Sequence, residues 1–133
     1  AEARGVIFKR VKSIAELDTE VRNASASGRA VMLDFYADWC VSCKEMERLT
    51  FTDARVHKAL ADVVLLQADV TANNADDQAL LKRFGLFGPP GTIFFDAQGR
   101  ELKARVVGFE RADTFLESLR RAIGATQAVK PTA

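Results

Sequence analysis

The only two cysteines of the chain, Cys40 and Cys43, have two residues between them and stand just behind a nearly continuous apolar run, Ala30 to Tyr36. Such a run is typical of a central strand buried on both faces. The residues that follow, Ala37-Asp38-Trp39-Cys40, lead from it into a helix expected from about Cys40 to Leu49. A Cys-x-x-Cys pair at a strand-to-helix junction is the signature of a redox-active dithiol. Two intervening residues let the sulfurs close a small disulfide ring. The first sulfur lies at a helix N-terminus, where free backbone N–H groups and the helix dipole stabilise a thiolate, the form that attacks another disulfide. Cys40 is therefore the expected nucleophile, the more exposed sulfur with the lower pKa. Cys43 is the expected resolving residue, more buried. Two blander readings compete. A structural disulfide gains most by closing a long loop, and this ring is too small to constrain much. A zinc site needs about four ligands, and only His57 is left to join the two sulfurs.

The rest of the chain alternates strands and helices. Val6-Ile7-Phe8 reads as a first strand. Ser13 with Glu16 matches a capping box, opening a helix with Ile14, Leu17 and Val21 inward that stops near Gly28. Thr52-Asp53 caps a short helix with Val56, Ala59 and Leu60 as its apolar side, and Val63 to Ala68 is a second buried strand. Thr71 to Asn74 is a loop, Ala75 to Phe84 a helix closed by Gly85, and Gly88-Pro89-Pro90-Gly91 a strong break. Thr92 to Phe95 and Leu102 to Val107 form a hairpin about the turn Asp96-Ala97-Gln98-Gly99. A last helix, Ala112 to Ile123, turns Phe115, Leu116, Leu119 and Ile123 inward. The order β-α-β-α-α-β-α-β-β-α predicts an α/β fold, a central mixed sheet flanked by helices on both faces. Residues 1–124 read as a single domain and 125–133 as a flexible C-terminal tail.

Composition narrows the function. A length of 133 residues fits one domain. A net charge of +1 gives no reason to expect nucleic acid or an anionic membrane as partner. No apolar run approaches the roughly 18 residues that span a bilayer, so these residues are expected to be soluble. The isolated domain is expected to be a monomer, and neither a metal nor a diffusible cofactor is expected. The start Ala1-Glu2-Ala3-Arg4 has neither an initiator Met nor a signal-peptide pattern and reads as an excised or processed product.

Asp34 breaks the apolar run in mid-strand. A carboxylate there costs several kcal/mol unless it is neutral or paired. Burial would raise its pKa and make it a candidate proton acceptor for Cys43. The alternative is a strand-end residue exposed by a bulge. Glu47, four residues after Cys43, falls on the same face of an α-helix one turn on; it is either a second acid near the sulfurs or an ordinary solvated glutamate. Asp38 is expected to face solvent. Trp39, in the loop before Cys40, is expected at the surface as a flat apolar contact for a docking partner rather than in the core. His57, between Arg55 and Lys58, reads as a solvated surface residue, while Phe35, Phe84, Phe94, Phe95 and Phe115 read as core.

The string Asp34-Phe35-Tyr36-Ala37-Asp38-Trp39-Cys40-Val41-Ser42-Cys43-Lys44 resembles the active-site segment of the thioredoxin superfamily, and the Pro-Pro break before Thr92-Ile93-Phe94-Phe95 resembles its cis-proline loop. Val31 to Glu45, Thr50-Phe51-Thr52-Asp53, Leu65 to Asn73 and Val107-Gly108-Phe109 are similar to the C-terminal periplasmic domain of the DsbD family, transmembrane thiol:disulfide interchange proteins of Gram-negative bacteria. One departure is Gly91 between Pro90 and Thr92, where many relatives have Pro followed at once by Thr. This leaves Pro89 or Pro90 as the cis residue, with Pro90 favoured.

The resemblance implies a thioredoxin fold and a protein-disulfide reductase whose redox group is the Cys40–Cys43 disulfide. It implies electrons taken from a membrane-domain dithiol and passed to the N-terminal periplasmic domain of the same protein, in support of disulfide isomerisation and cytochrome c maturation. It favours Asp34 as proton acceptor and implies partner contacts at Trp39, Phe87, Gly88 and Pro90. Acids beside Cys40 oppose its thiolate, which suits a reductant that reacts only with its docked partner. Rival readings are a free-standing thioredoxin-like reductase and a binding module with an idle structural disulfide.

Overall fold

The structure is a computed structural model and describes residues 6–124. Its strands are β1 (Lys9–Arg10), β2 (Val31–Tyr36), β3 (Val64–Asp69), β4 (Gly91–Phe95) and β5 (Glu101–Val107), in the sheet order β1-β3-β2-β4-β5. Its helices are α1 (Ile14–Ala26), α2 (Val41–Glu45), α3 (Ala54–Ala59), α4 (Ala75–Arg83) and α5 (Ala112–Leu119). The second and the fifth run on into π-helical turns, Met46–Thr50 and Arg120–Gly124.

β2 is central because its apolar run has no solvent face. All six of its residues are buried, with β3 parallel on one side and β4 antiparallel on the other. Alternation along the strands divides the core. Leu33, Phe35, Leu66, Ala68, Ile93 and Phe95 pack against Leu17, Val21 and Ala24 of α1 and Leu80, Leu81 and Phe84 of α4. Met32, Phe94 and Val106 point the other way, against Met46, Val56 of α3, and Phe115 and Leu119 of α5. Each fully buried Leu or Phe contributes about 1.5–3 kcal/mol by removal from water, so two well-filled layers hold the central strand from both faces. The mixed sheet with helices on both faces is the expected architecture.

The first strand departs from expectation. Val6-Ile7-Phe8 does not pair in the sheet; Ile7 is exposed, Val6 N–H donates to the Phe51 carbonyl, and Phe8 packs edge-on against the Phe51 ring. The pairing residues are Lys9 and Arg10, opposite Leu66 and Gln67. An edge strand tolerates charged residues that a central strand does not, so apolarity pointed three residues too early. At α1, Ser13 accepts from the Glu16 N–H as expected, but the Glu16 carboxylate caps Lys12 N–H rather than Ser13's own. In α3, Asp53 is the N-cap and Val56 is buried with Leu60 at the helix end, whereas Ala59 faces solvent. The stretch read as a loop before α4 holds a complete capping box between Asn74 and Asp77. His57 is half-buried rather than solvated, its Nε2 2.8 Å from the Phe51 carbonyl. The five phenylalanines assigned to the core are all buried. The tail assigned to 125–133 lies outside the described residues.

Two glycines shape the approach to the site. Gly85 closes α4 at φ +66, a conformation L side chains rarely adopt. At Gly91, a Cβ would lie 2.9 Å from Leu86 Cδ1, so the first residue of β4 is bare where Leu86 folds over it.

Candidate redox site

Four residues, Ala37 to Cys40, lead from the C-terminal end of β2 into α2, and the two sulfurs sit at the N-cap and in the first turn of that helix. Cys40 is the N-cap of α2, with extended backbone, and its Sγ accepts from the Cys43 N–H at 3.1 Å. A capping position normally filled by a hydroxyl or carboxylate is thus filled by sulfur. The two cysteines are disulfide-bonded, Cα atoms 5.2 Å apart. Cys40 is the more exposed of the two, at 7% against 3%, although both are buried in this state. Cys43 Sγ lies 3.8 Å from the Phe35 carbonyl oxygen, directly over the end of β2.

Asp34 is only 4% exposed, so no bulge brings it to solvent. It shares a sheet face with the buried neighbours opposite it, Gln67 on β3 and Thr92 on β4. Gln67 Nε2 donates to Asp34 Oδ2 at 2.9 Å. Burial pushes the Asp34 carboxyl up to about 7; the Gln67 hydrogen bond pulls down, the Glu47 charge pushes up, and Arg10 pulls down. A carboxyl at that value exchanges protons readily near neutral pH.

Glu47 is half-buried, but not by simple α-helical spacing. α2 gives way to a π-helical turn at Met46, closed by Phe51 N–H donating to the Met46 carbonyl at 2.8 Å. That turn sets Glu47 into the wall of a recess of about 380 Å³ that it shares with Val6, Phe8, Arg10, Phe51 and Gln67. Asp38 is exposed as expected; its Oδ1 accepts from Tyr36 OH, which in turn accepts from Lys44 Nζ. Burial, foremost, pushes the Tyr36 hydroxyl up, which keeps it a donor.

Trp39 is 59% exposed, and its Nε1 donates to the Thr71 carbonyl, so the indole is displayed yet tethered. The Pro89–Pro90 peptide bond is cis, which makes Pro90 the cis residue. Gly91, the next residue, lies opposite Phe35, so the proline loop and the dithiol share one end of the sheet. Phe87 in that loop is fully exposed, Gly88 half-buried, and Gly108 N–H donates to the Pro90 carbonyl. Gln67 and Arg10 were not singled out in the sequence. A Gln inside the buried run Val63 to Ala68 repeats the anomaly that marked Asp34, and that signal was there to be read. Arg10 carries none. Among the described residues no group of three or more His, Cys, Asp or Glu is placed to hold a metal ion, and no helix is long and apolar enough to cross a membrane.

A sheet of this order with a dithiol at the start of the helix after its central strand defines a thioredoxin-like domain. The chain belongs to that family, whose model matches residues 17–123. Over 131 residues it is 76% identical to the thiol:disulfide interchange protein DsbD of Ralstonia nicotianae, a match covering 98% of this chain and 21% of that protein. The same-named protein of Escherichia coli K12 is 54% identical over 114 residues, 85% of this chain and 20% of that one. The chain thus spans about a fifth of the length of these curated relatives. The crystal structure of the oxidised Neisseria meningitidis DsbD C-terminal domain matches with a TM-score of 0.72 at 39% identity, covering 87% of this chain and 98% of that one. Within the thioredoxin-like family, the chain belongs with the DsbD C-terminal domains.

Proposed function

We propose that this domain is a protein-disulfide reductase that relays electrons from a membrane-domain dithiol to a periplasmic partner domain of the same protein, supporting disulfide isomerisation and cytochrome c maturation. What carries the reading is the disulfide Cys40–Cys43 at the N-cap of α2, at the end of the strand that holds a buried acid titrating near neutrality. Similarity over 98% of this chain to a fifth of a DsbD sequence supports it, and with it a periplasmic setting.

In the reduced domain, the Cys40 thiolate attacks a disulfide of the partner. A Cys40–partner S–S bond forms, the partner's own S–S bond breaks, and the released sulfur leaves with the electron pair and takes a proton. Cys43 then gives its S–H proton to the Asp34 carboxylate and attacks Cys40 Sγ. The Cys40–Cys43 bond forms, the mixed disulfide breaks, and the partner departs as a dithiol, reduced by two electrons. The membrane-domain dithiol restores the reduced state by the reverse sequence. Glu47 keeps negative potential near Asp34 and so raises its proton affinity. Trp39, Phe87, Gly88 and Pro90 are the contact residues for the partner, and both aromatic rings, Trp39 before the dithiol and Phe87 in the proline loop, are exposed.

Redox equilibration against a glutathione or dithiothreitol couple, followed by Trp39 fluorescence, tests the reading. Reversible exchange at a reducing potential is expected, with Cys43→Ala trapping a mixed disulfide through Cys40 and Cys40→Ala trapping none. A disulfide that resists exchange until the chain unfolds would make the domain a binding module instead.

A further inference from the structure

A row of polar side chains crosses the sheet beneath the recess that Glu47 lines. Arg10 on β1, Gln67 on β3, Asp34 on β2 and Thr92 on β4 are register partners in turn. Arg10 Nε donates to Gln67 Oε1 at 2.7 Å, and Gln67 Nε2 donates to Asp34 Oδ2 at 2.9 Å. The order of donors is forced. A guanidinium has no acceptor, so Gln67 must turn its oxygen to Arg10, and its NH2, which only donates, then faces Asp34. Arg10 is itself held: Nη1 donates to Asp69 Oδ2 at 2.7 Å, and the guanidinium stacks 5.8 Å from the centre of the Tyr36 ring. Asp69 accepts from Thr71 N–H and Oγ1–H, while Thr71 accepts from Asp38 N–H through Oγ1 and from Trp39 Nε1 through its carbonyl. An unbroken hydrogen-bonded chain therefore joins the buried acid to the two residues preceding Cys40.

We infer that Gln67, aimed by Arg10, is a positioning residue for the proton step: it grips Asp34 by Oδ2, favours the ionised carboxylate, and leaves Oδ1 as the oxygen that receives the Cys43 proton. This rests on Asp34 being the proton acceptor in the reading above. Oδ1 has no hydrogen-bond partner among the described residues, whereas Oδ2 is occupied. Burial alone drives the carboxyl toward its neutral form, and a neutral acid cannot take a proton. The Gln67 NH2 and the Arg10 charge oppose burial and keep the group usable near neutral pH. The charged groups acting on Asp34 are Glu47 from the π-helical turn and Arg10 from β1; β3 and β4 present Gln67 and Thr92, which do not titrate, and in the proposed step the Cys43 thiol is the remaining titrating partner.

The test is the Asp34 carboxyl midpoint in the reduced domain, read by carbon NMR from pH 4 to 9 in the parent, Gln67→Leu, Arg10→Met and the double variant, beside the pH–rate profile of disulfide exchange. Losing one donor to a carboxylate should move the Gln67→Leu midpoint up by about one pH unit, with the rate profile following. Arg10→Met, a change on an exposed edge strand, should move it the same way and keeps the test open if Gln67→Leu does not fold. If Arg10 works through Gln67, the double variant shifts by less than the sum of the singles. An unmoved midpoint in folded Gln67→Leu, or full additivity in the double variant, would overturn the inference. A midpoint that moves while the rate profile stays put would instead overturn Asp34 as acceptor, and failure of the parent to exchange at all would overturn the reductase reading.

Discussion

Asp34 and Asp96 are both buried carboxylates on the sheet, one at mid-strand near the dithiol and one where β4 turns toward β5. Burial works on both in the same direction, yet they end on opposite sides of the ordinary carboxylate value. Asp96 accepts from Gln98 N–H and Arg100 N–H at 2.9 Å each and from Arg100 Nε at 3.2 Å. Although burial pushes up, those donors and the arginine charge hold its carboxyl below the ordinary value. Asp34 has the single Gln67 donor and a neighbouring glutamate, and rises to about 7. Removal from water raises both acids and dominates at Asp34; the donors pointed at each decide how far that rise is offset. At the turn the chain supplies donors enough to make the acid a structural pin. At the dithiol it withholds them, and the acid is left able to change state.

Matched substitutions at the two acids should therefore behave as opposites. The largest difference concerns stability. Asp34 is raised in the folded state, so the fold binds its proton more tightly than the unfolded chain does, and stability falls as pH rises from about 4 through about 7. Asp34→Asn removes that loss. Urea unfolding of the oxidised domain should find it more stable than the parent by about 4 kcal/mol at pH 8 and no more stable near pH 4. A gain independent of pH would break the contrast.

Next in size, Asp34→Asn should slow resolution of a Cys40 mixed disulfide about a hundredfold, while Asp96→Asn leaves it unchanged. Stopped-flow exchange decides this, and equal slowing in both would mean that neither acid acts on the chemistry directly.

Asp96→Asn should cost about 2 kcal/mol at pH 7 by unfolding its charge-assisted hydrogen bonds. Its lowered folded value means that its contribution is present above the unfolded pKa and lost as pH falls through the folded one, so the deficit should shrink below about pH 4. A deficit that persists at pH 2 would remove charge from the explanation. The smallest effect belongs to Glu47→Gln. Since the Glu47 charge raises Asp34, neutralising it should lower the Asp34 midpoint by less than about one pH unit, and an upward shift on NMR titration would reverse the assigned sign.

What the sequence made legible follows from how local each signal is. The central strand, the cysteine pair and the helix they open lie within fifteen consecutive residues, Val31 to Glu45, and each could be read from its neighbours. Asp34 stood out because a lone acid in an apolar run has no other ready explanation. Pro90 as the cis residue was favoured for its place just ahead of a strand, and the structure places the cis bond there. The partners of Asp34 were not legible in the same way. Arg10 and Gln67 are brought together by β1–β3 pairing across 57 positions of chain. The segment that forms β1 is charged and only two residues long, so neither hydrophobicity nor alternation marks it. The π-helical turn at Met46 inserts an extra residue into the ladder with no sequence mark, and the Cys43–Glu47 spacing, sound for an α-helix, could not foresee it.

Pro89 and Pro90 stand side by side in the loop that shares an end of the sheet with the dithiol. Neither has an amide hydrogen, and the Pro90 carbonyl is already engaged by Gly108. Over these two positions the loop is an acceptor-only edge. A visiting strand can lend hydrogen bonds to it but can borrow none back, so the backbone polarity of this end of the molecule is one-sided before any side chain is considered.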